Sequence, residues 1–366
     1  MTLTTLLTTA ATMKASDLHI FVGKRPIVRV SGQLTELSDQ PVLTNALAQE
    51  LSFAVLSAHQ KEVFTETREL DLSYEIEGIG RFRINMFWEK GNVGLVARLI
   101  PEVVPSMEEI HLPQIAFDFT KKKDGLILIT GPAGSGKSTT LASMINGINM
   151  DRGENIITLE DPIEFLFHPQ KSIIKQRQLG QDMLSFQESL KYVLRQDPNI
   201  IMVGEMRDLE TIAATITLAE TGHLVFATLH TYNAAQTISR IIDVFPPSQQ
   251  QQIRLQLSTT LQGIVSQRLL TKAGGGRVAV REVLVNTPAI STLIRDNKIQ
   301  QIQSMIQTGA DEGMMTMDQS LREMYESGAI TEEDARAYAT NPESVFNGQV
   351  KESATKKSKR MPMYMF

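Results

Sequence analysis

The chain contains no cysteine. Disulfides and thiolate metal sites are excluded, and a reducing, cytoplasmic setting is the simplest expectation. Also missing is any apolar run near the roughly 18 residues that a membrane-spanning helix needs. Strong charge of either sign is absent: 36 Lys and Arg face 41 Asp and Glu, for a formal net charge of −5. That balance argues against a surface built for nucleic acid, so no nucleic-acid partner is expected. No internal repeat is visible. The N-terminus lacks the basic flank of a signal peptide, and Leu3, Leu6, Leu7 and Ala10 fall at helical spacing, which predicts a short amphipathic first helix.

What is present suits a two-domain α/β protein. The 366 residues allow two hydrophobic cores. Residues 17–22 and 27–30 read as a strand pair joined by a Gly-Lys-Arg-Pro turn, 43–66 as helical, and 70–76, 80–87 and 94–99 as further strands. Together they predict a small α+β domain over 1–100. Pro101, Pro105 and Pro113 mark 101–120 as a linker. Over 121–345 the pattern repeats strand, loop and helix, with strands expected at 125–130, 155–159, 200–203, 224–229 and 277–285. Short apolar β-branched runs of this kind suit a parallel sheet buried on both faces. Ile253, Leu257, Leu261, Ile264, Val265 and Leu269 read as one long helical stripe used for packing. The last stretch, 346–366, includes the basic, apolar-poor run from Lys351 to Arg360 and reads as a disordered, solvated tail.

One segment carries definite chemistry. Gly131, Pro132, Ala133, Gly134, Ser135, Gly136, Lys137, Ser138 and Thr139 follow directly on the apolar run 125–130. This is a complete phosphate-binding loop in the strand-then-helix setting it requires. Its glycines let the backbone wrap closely, so that N–H groups point inward at phosphate oxygens. Lys137 then reaches the β- and γ-phosphates, the Ser138 hydroxyl ligates Mg²⁺, and the following helix adds the positive end of its dipole. The expected ligand is a nucleoside triphosphate.

Hydrolysis needs a positioned water, a second hold on the metal ion and positive charge for the transition state. Glu160-Asp161-Pro162-Ile163-Glu164 ends the second strand of this region, where open parallel sheets bind ligands. Ile200 to Glu205 is an apolar strand ending in a carboxylate, a Walker B layout with Gly204 where an Asp often stands. Thr228-Leu229-His230 brings a histidine to the same rim. Each has a plainer alternative: Asp161 as a turn former before Pro162, Glu205 as an ion-pair partner of Arg207, His230 as a helix cap. Four polar groups at the carboxyl ends of successive strands, downstream of a phosphate loop, favour function. His223 is a further candidate, with a structural role as its alternative.

The block from Gly131 to Phe245 resembles the secretion and type IV pilus ATPase superfamily. Residues 157–165 resemble its aspartate box, 203–211 its atypical Walker B, and 219–231 its histidine box; 15–19, 80–85 and 313–318 match it as well. The resemblance implies a RecA-like P-loop ATPase core with a smaller N-terminal α+β domain that is PAS-like, using ATP and Mg²⁺. By motif it makes Glu164 the residue acting on the attacking water, Glu205 a water-mediated hold on Mg²⁺, His230 a sensor of the γ-phosphate, and His223 a second histidine-box residue. It also implies that Arg98 and Arg81, and with less support Arg83, reach the nucleotide when the domains close. The family works as a homohexamer on the cytoplasmic side, peripheral to the inner membrane at the pilus base, against a pilus platform protein; a paralogous retraction ATPase is a further partner. Without cysteine this chain lacks the zinc site common in assembly and type II secretion ATPases, and it starts at the small first domain, which together favour the pilus retraction branch. At 289–291, however, it reads Ala-Ile-Ser where that branch typically has Ala-Ile-Arg. An accessory retraction ATPase or an assembly ATPase is the nearer alternative, a RecA-type nucleic-acid motor the more distant one.

Overall fold

The computed structural model describes residues 1–30, 32–101 and 103–346; the expected disordered tail lies outside them from 347 onward. The chain divides into two compact units, Met1–Val104 together with Glu164–Phe167, and Pro105–Ile163 together with the chain from His168.

In the first unit, strands β1 (Asp17–Ile20), β2 (Ile27–Val30), β3 (Gln33–Glu36), β4 (Glu69–Ile76), β5 (Gly80–Glu89) and β6 (Asn92–Leu99) form one sheet in the order β3-β2-β1-β6-β5-β4. All its pairings are antiparallel. Side chains alternate across such a sheet. Phe82, Ile84 and Met86 of β5 therefore join Leu18, Val28 and Leu95 in a core that also takes Leu3, Leu6, Leu7 and Ala10 of α1 (Leu3–Thr12). The expected helix over 43–66 is two helices, α2 (Asn45–Phe53) and α3 (Ala58–Thr67). Ser57 starts the second with a capping box to Gln60, satisfying backbone donors at the break.

The other face of this sheet is charged. Register sets Asp17 opposite both Arg29 and Arg98, and Arg83 opposite Arg98. Burial raises the Asp17 pKa, but hydrogen bonds from Ser16 and Arg98 and the Arg98 charge outweigh it and hold the carboxyl below its ordinary range.

The second unit holds seven strands, β7 (Gly125–Thr130), β8 (Asn155–Glu160), β9 (Ile173–Gln178), β10 (Ile200–Val203), β11 (Leu224–Leu229), β12 (Leu261–Thr271) and β13 (Arg277–Val285), in the order β13-β12-β7-β11-β10-β8-β9. Every pairing is parallel except β12 with β13. The helices of this unit begin with α4 (Gln114–Thr120), α5 (Lys137–Asp151), α6 (Phe186–Val193), α7 (Leu209–Glu220), α8 (Ala234–Asp243) and α9 (Pro247–Thr260). Further helices lie between 288 and 346. Strands β7, β10 and β11 are buried along their whole length, as apolar β-branched runs require when helices cover both faces.

Two expectations need correction. The stripe from Ile253 to Leu269 is not one helix: α9 stops at Thr260, and Leu261 starts the eleven-residue β12. A strand buried on both faces lacks the two-residue alternation that identifies one, so its apolar residues matched the helical period by coincidence. Pairing with β7 on one side and β13 on the other decides the matter. The short β3 and the polar edge strand β9 carry no apolar pattern and were likewise not expected. Within 101–120, read as linker, residues 114–120 are helix α4, whose Phe119 lies so close to Gly263 that a Cβ there would come within 2.1 Å of the ring.

Candidate active site

Parallel pairing of β7, β8, β10 and β11 brings their carboxyl ends to one edge of the sheet. The phosphate loop leaves β7 there, Asp161 follows β8, Glu205 follows β10, and His230 follows β11. Sequence reasoning placed these groups on one rim, and the fold brings them there.

The loop is shaped against β12. A Cβ at Gly131 would lie 2.2 Å from the carbonyl oxygen of Gln267, so only glycine fits the entry to the loop. Gly136 is left-handed and opens α5, whose first residue is Lys137. Lys137 Nζ donates to the carbonyls of Gly131 (2.8 Å) and Pro132 (3.1 Å) and lies 3.3 Å from His230 Nδ1. His230 Nε2 is 2.9 Å from Glu205 Oε1. Since the lysine ammonium has only donors and the carboxylate only acceptors, this pattern calls for a neutral imidazole with its proton on Nε2. Glu205 Oε2 also accepts from Arg207 Nε at 2.8 Å, and Arg207 Nη1 is 3.4 Å from Asp161 Oδ2. A continuous polar chain thus runs from Lys137 through His230, Glu205 and Arg207 to Asp161. The plainer pairing of Glu205 with Arg207 exists, but as one link in that chain.

Gly204 has a steric cause. A Cβ there would meet the Leu159 carbonyl at 3.1 Å and Glu160 Cα at 3.3 Å. A side chain there, such as the aspartate often found at this position, would need the β8 exit to give by a few tenths of an ångström. Next in the chain, Asp208 caps α7 by accepting from the Thr211 backbone N–H at 2.8 Å. Burial raises its pKa, and the bonds from Thr211 more than offset this and lower it.

Other candidates fall elsewhere. His223 precedes β11, at the opposite end of that strand from His230, and its Nδ1 lies 3.1 Å from both the Thr221 hydroxyl and the Leu218 carbonyl. The six residues of β11 span about 20 Å, so His223 is not brought to the loop of its own chain. Glu164 is exposed, and its segment belongs to the first unit. Arg98 and Arg81 lie on β6 and β5; the Arg98 side chain is 68% exposed and pairs with the buried Asp17 at 2.8 Å. Ser291 donates from its hydroxyl to the Ser258 carbonyl at 2.7 Å, anchoring helix 288–295 to α9. Two residues that sequence reading missed are Arg207, as the link to Asp161, and Gln267. Gln267 sits in the stretch misread as helix and belongs to no motif.

The residues fit a nucleotide with its metal ion. The Ser135 hydroxyl is buried in the loop without a hydrogen-bond partner, and open space lies beside Gly134. Among the described residues no cluster of three or more acidic or histidine side chains could hold a metal ion by itself. Mg²⁺ commonly takes one or two protein ligands plus substrate phosphates, which Ser138 and Glu205 can supply.

A strand-loop-helix phosphate cradle at the carboxyl edge of a parallel sheet, with a carboxylate and a histidine on the same rim, defines a P-loop ATPase with a RecA-like core. The chain belongs to the type II/IV secretion system protein family, whose model matches residues 2–353. It is 45% identical to the type IV pilus retraction ATPase PilT of Pseudomonas aeruginosa, over 94% of this chain and all of that protein. It is 41% identical to the type IV pilus ATPase PilU of the same organism, over 88% of this chain and 85% of the other. Among solved structures, the pilus retraction motor PilT with bound ADP matches with a TM-score of 0.88 at 45% identity, covering 94% of this chain and 98% of that one. The chain is accordingly an ATP-binding ATPase of this family. No helix among the described residues is long and apolar enough to cross a membrane.

Proposed function

We propose that this chain is a motor that retracts type IV pili, using ATP hydrolysis to move its first domain (1–100) against its ATPase domain (121–345). The observation that carries the mechanism is the chain of contacts from Lys137 to Glu205 through His230. Each link is partly exposed and worth about 0–1 kcal/mol. Lys137 meets neutral acceptors in these contacts, whereas a triphosphate adds attraction between opposite charges, so an arriving triphosphate wins Lys137 from the loop carbonyls and from His230. His230 then registers the γ-phosphate through Lys137, and reports its loss to Glu205. Backbone N–H groups of 131–139 cradle the phosphates, while Ser138, and Glu205 through water, hold Mg²⁺. The ion, when bound, neutralises charge that develops between the β- and γ-oxygens. Glu164 orients the attacking water or takes its proton. His223, at the far edge of the sheet, takes no part at its own chain's loop.

Positive charge for the transition state comes from the first domain. Arg98 and Arg81 complete the site on closure, so ATP and ADP favour different domain angles through their different contacts. Six copies assemble head to tail into a closed ring, since a heterologous contact that closes gives a ring and one that does not gives a filament. The ring works in the cytoplasm against an inner-membrane pilus platform protein, with a paralogous retraction ATPase as a second partner. Retraction, in preference to assembly, rests on the likeness to PilT and PilU over nearly the whole chain.

Deleting the gene tests the direction of work. Retraction predicts excess surface pili and loss of twitching, restored by the wild-type copy; bald cells would point to assembly. Turnover stimulated by single-stranded DNA would instead favour a nucleic-acid motor.

A further inference from the structure

The phosphate loop touches one side chain that no motif contains. Gln267 of β12 is 1% exposed. Its Nε2 donates to the Ser135 carbonyl at 2.7 Å, and its Oε1 accepts from the Thr140 hydroxyl at 2.9 Å. Ser135 lies at the crest of the loop and Thr140 in the first turn of α5, so this one amide ties the loop to the helix that follows it. The glycines agree with this placement. A Cβ at Gly136 would come within 3.2 Å of Gln267 Nε2, and one at Gly131 would collide with the Gln267 carbonyl oxygen at 2.2 Å. The residue before it, Ser266, accepts from the buried Thr130 hydroxyl at 2.8 Å. Loop entry, crest and helix start are therefore all gauged against the same two residues of β12.

We propose that Gln267 is a positioning residue for the nucleotide phosphates: its amide holds the Ser135 peptide so that the loop N–H groups face the phosphate site before nucleotide arrives. With Nε2 engaged by the Ser135 carbonyl, that carbonyl points away from the site and toward β12. A loop free to turn the peptide over would present an oxygen to the phosphates, and an oxygen there repels them. Preorganisation of this kind appears as affinity, because the ordering cost is met during folding. The inference rests on the reading of 131–139 as the nucleotide cradle.

The test uses the full-length protein with ADP and Mg²⁺, by calorimetry, and with ATP, by phosphate release. Gln267→Met keeps the volume and loses both hydrogen bonds. Its affinity for ADP should fall about tenfold, the loss of one well-placed buried bond, with KM for ATP rising in step. Gln267→Glu keeps the acceptor for Thr140 but donates to the Ser135 carbonyl only when protonated. Its affinity relative to wild type at each pH should be poor at pH 8 and recover toward acid, a profile that a merely structural role would not produce. Should Gln267→Met fail to fold, Thr140→Val removes the other end of the tie, and ADP should then bind several-fold more weakly. Wild-type ADP affinity in Gln267→Met, or in Thr140→Val if the first cannot be purified, overturns the inference, as does a flat relative profile for Gln267→Glu. Wild-type protein that held no ADP would overturn the nucleotide reading as well, and Lys137→Ala, which should bind weakly, serves as its separate control.

Discussion

Lys137 and Glu205 belong to the same chain of contacts but should fail in different ways when replaced. Lys137 donates to the Gly131 and Pro132 carbonyls and lies against His230, contacts that a phosphate can replace. Lys137→Ala should therefore weaken ATP binding on the order of 10–100-fold, the equivalent of one lost charged hydrogen bond. Glu205 faces His230 and Arg207, not the loop, so Glu205→Ala should leave ADP affinity within a few-fold of wild type and reduce turnover by about 10² or more. Calorimetry with ADP set beside phosphate release separates the two; equal loss of binding and turnover in the Glu205 variant would contradict its assigned role. Both residues were legible because their motifs are contiguous in sequence. Arg207 was visible only as a neighbour of Glu205, since its reach to Asp161 depends on β8 and β10 lying side by side.

Among elements, the first sheet shows how register turns scattered residues into an electrostatic unit. Asp17, Arg29, Arg83 and Arg98 come from four strands and form one row. His19, two residues along β1, shares the face of Asp17. Burial pushes its imidazole below the ordinary value of 6.5, with Arg29 and Arg98 acting in the same direction and Asp17 opposing them. The sign follows by linkage: below pH 6.5 the unfolded chain binds the proton that the folded sheet resists, so stability falls as pH falls. Asp17, held below its ordinary 3.8, works in the same direction at lower pH, its contribution being lost as pH drops through the folded value. Thermal melting followed by fluorescence of the chain's single tryptophan, Trp88 on β5, should show Tm declining from pH 7 to pH 5. His19→Gln should flatten that decline, and an unchanged slope would count against His19 as its source. Strand β5 was readable from alternation, because its residues are buried and half-buried in turn. In β12 both faces are buried, and the same rule had nothing to detect.

For the whole molecule, the decisive question is whether the two units cooperate in catalysis. If Arg98 supplies charge to the transition state, Arg98→Ala should cut kcat about 10³-fold or more while changing KM little. The fold should tolerate this, since Asp17 keeps its bond from Ser16 and its pairing with Arg29. Asp17→Asn is the control: it disturbs the same row of the sheet but removes no positive charge, and should retain most of the turnover. Wild-type kcat in Arg98→Ala would remove the ground for coupling hydrolysis to domain movement.

The amino-acid sequence by itself determined the phosphate loop, the carboxylates and histidine at the strand ends, and most of the parallel strands. These signals are local: a few adjacent residues specify a loop, a cap or an apolar run whatever surrounds them. Tertiary structure alone decided that 261–271 is a strand, that Gln267 braces the loop from 132 residues away, and that Arg207 reaches Asp161. Those outcomes depend on which strands lie side by side. Pairing is a property of the assembled sheet, set by burial on both faces and by backbone hydrogen bonds between distant segments, and no single segment carries it.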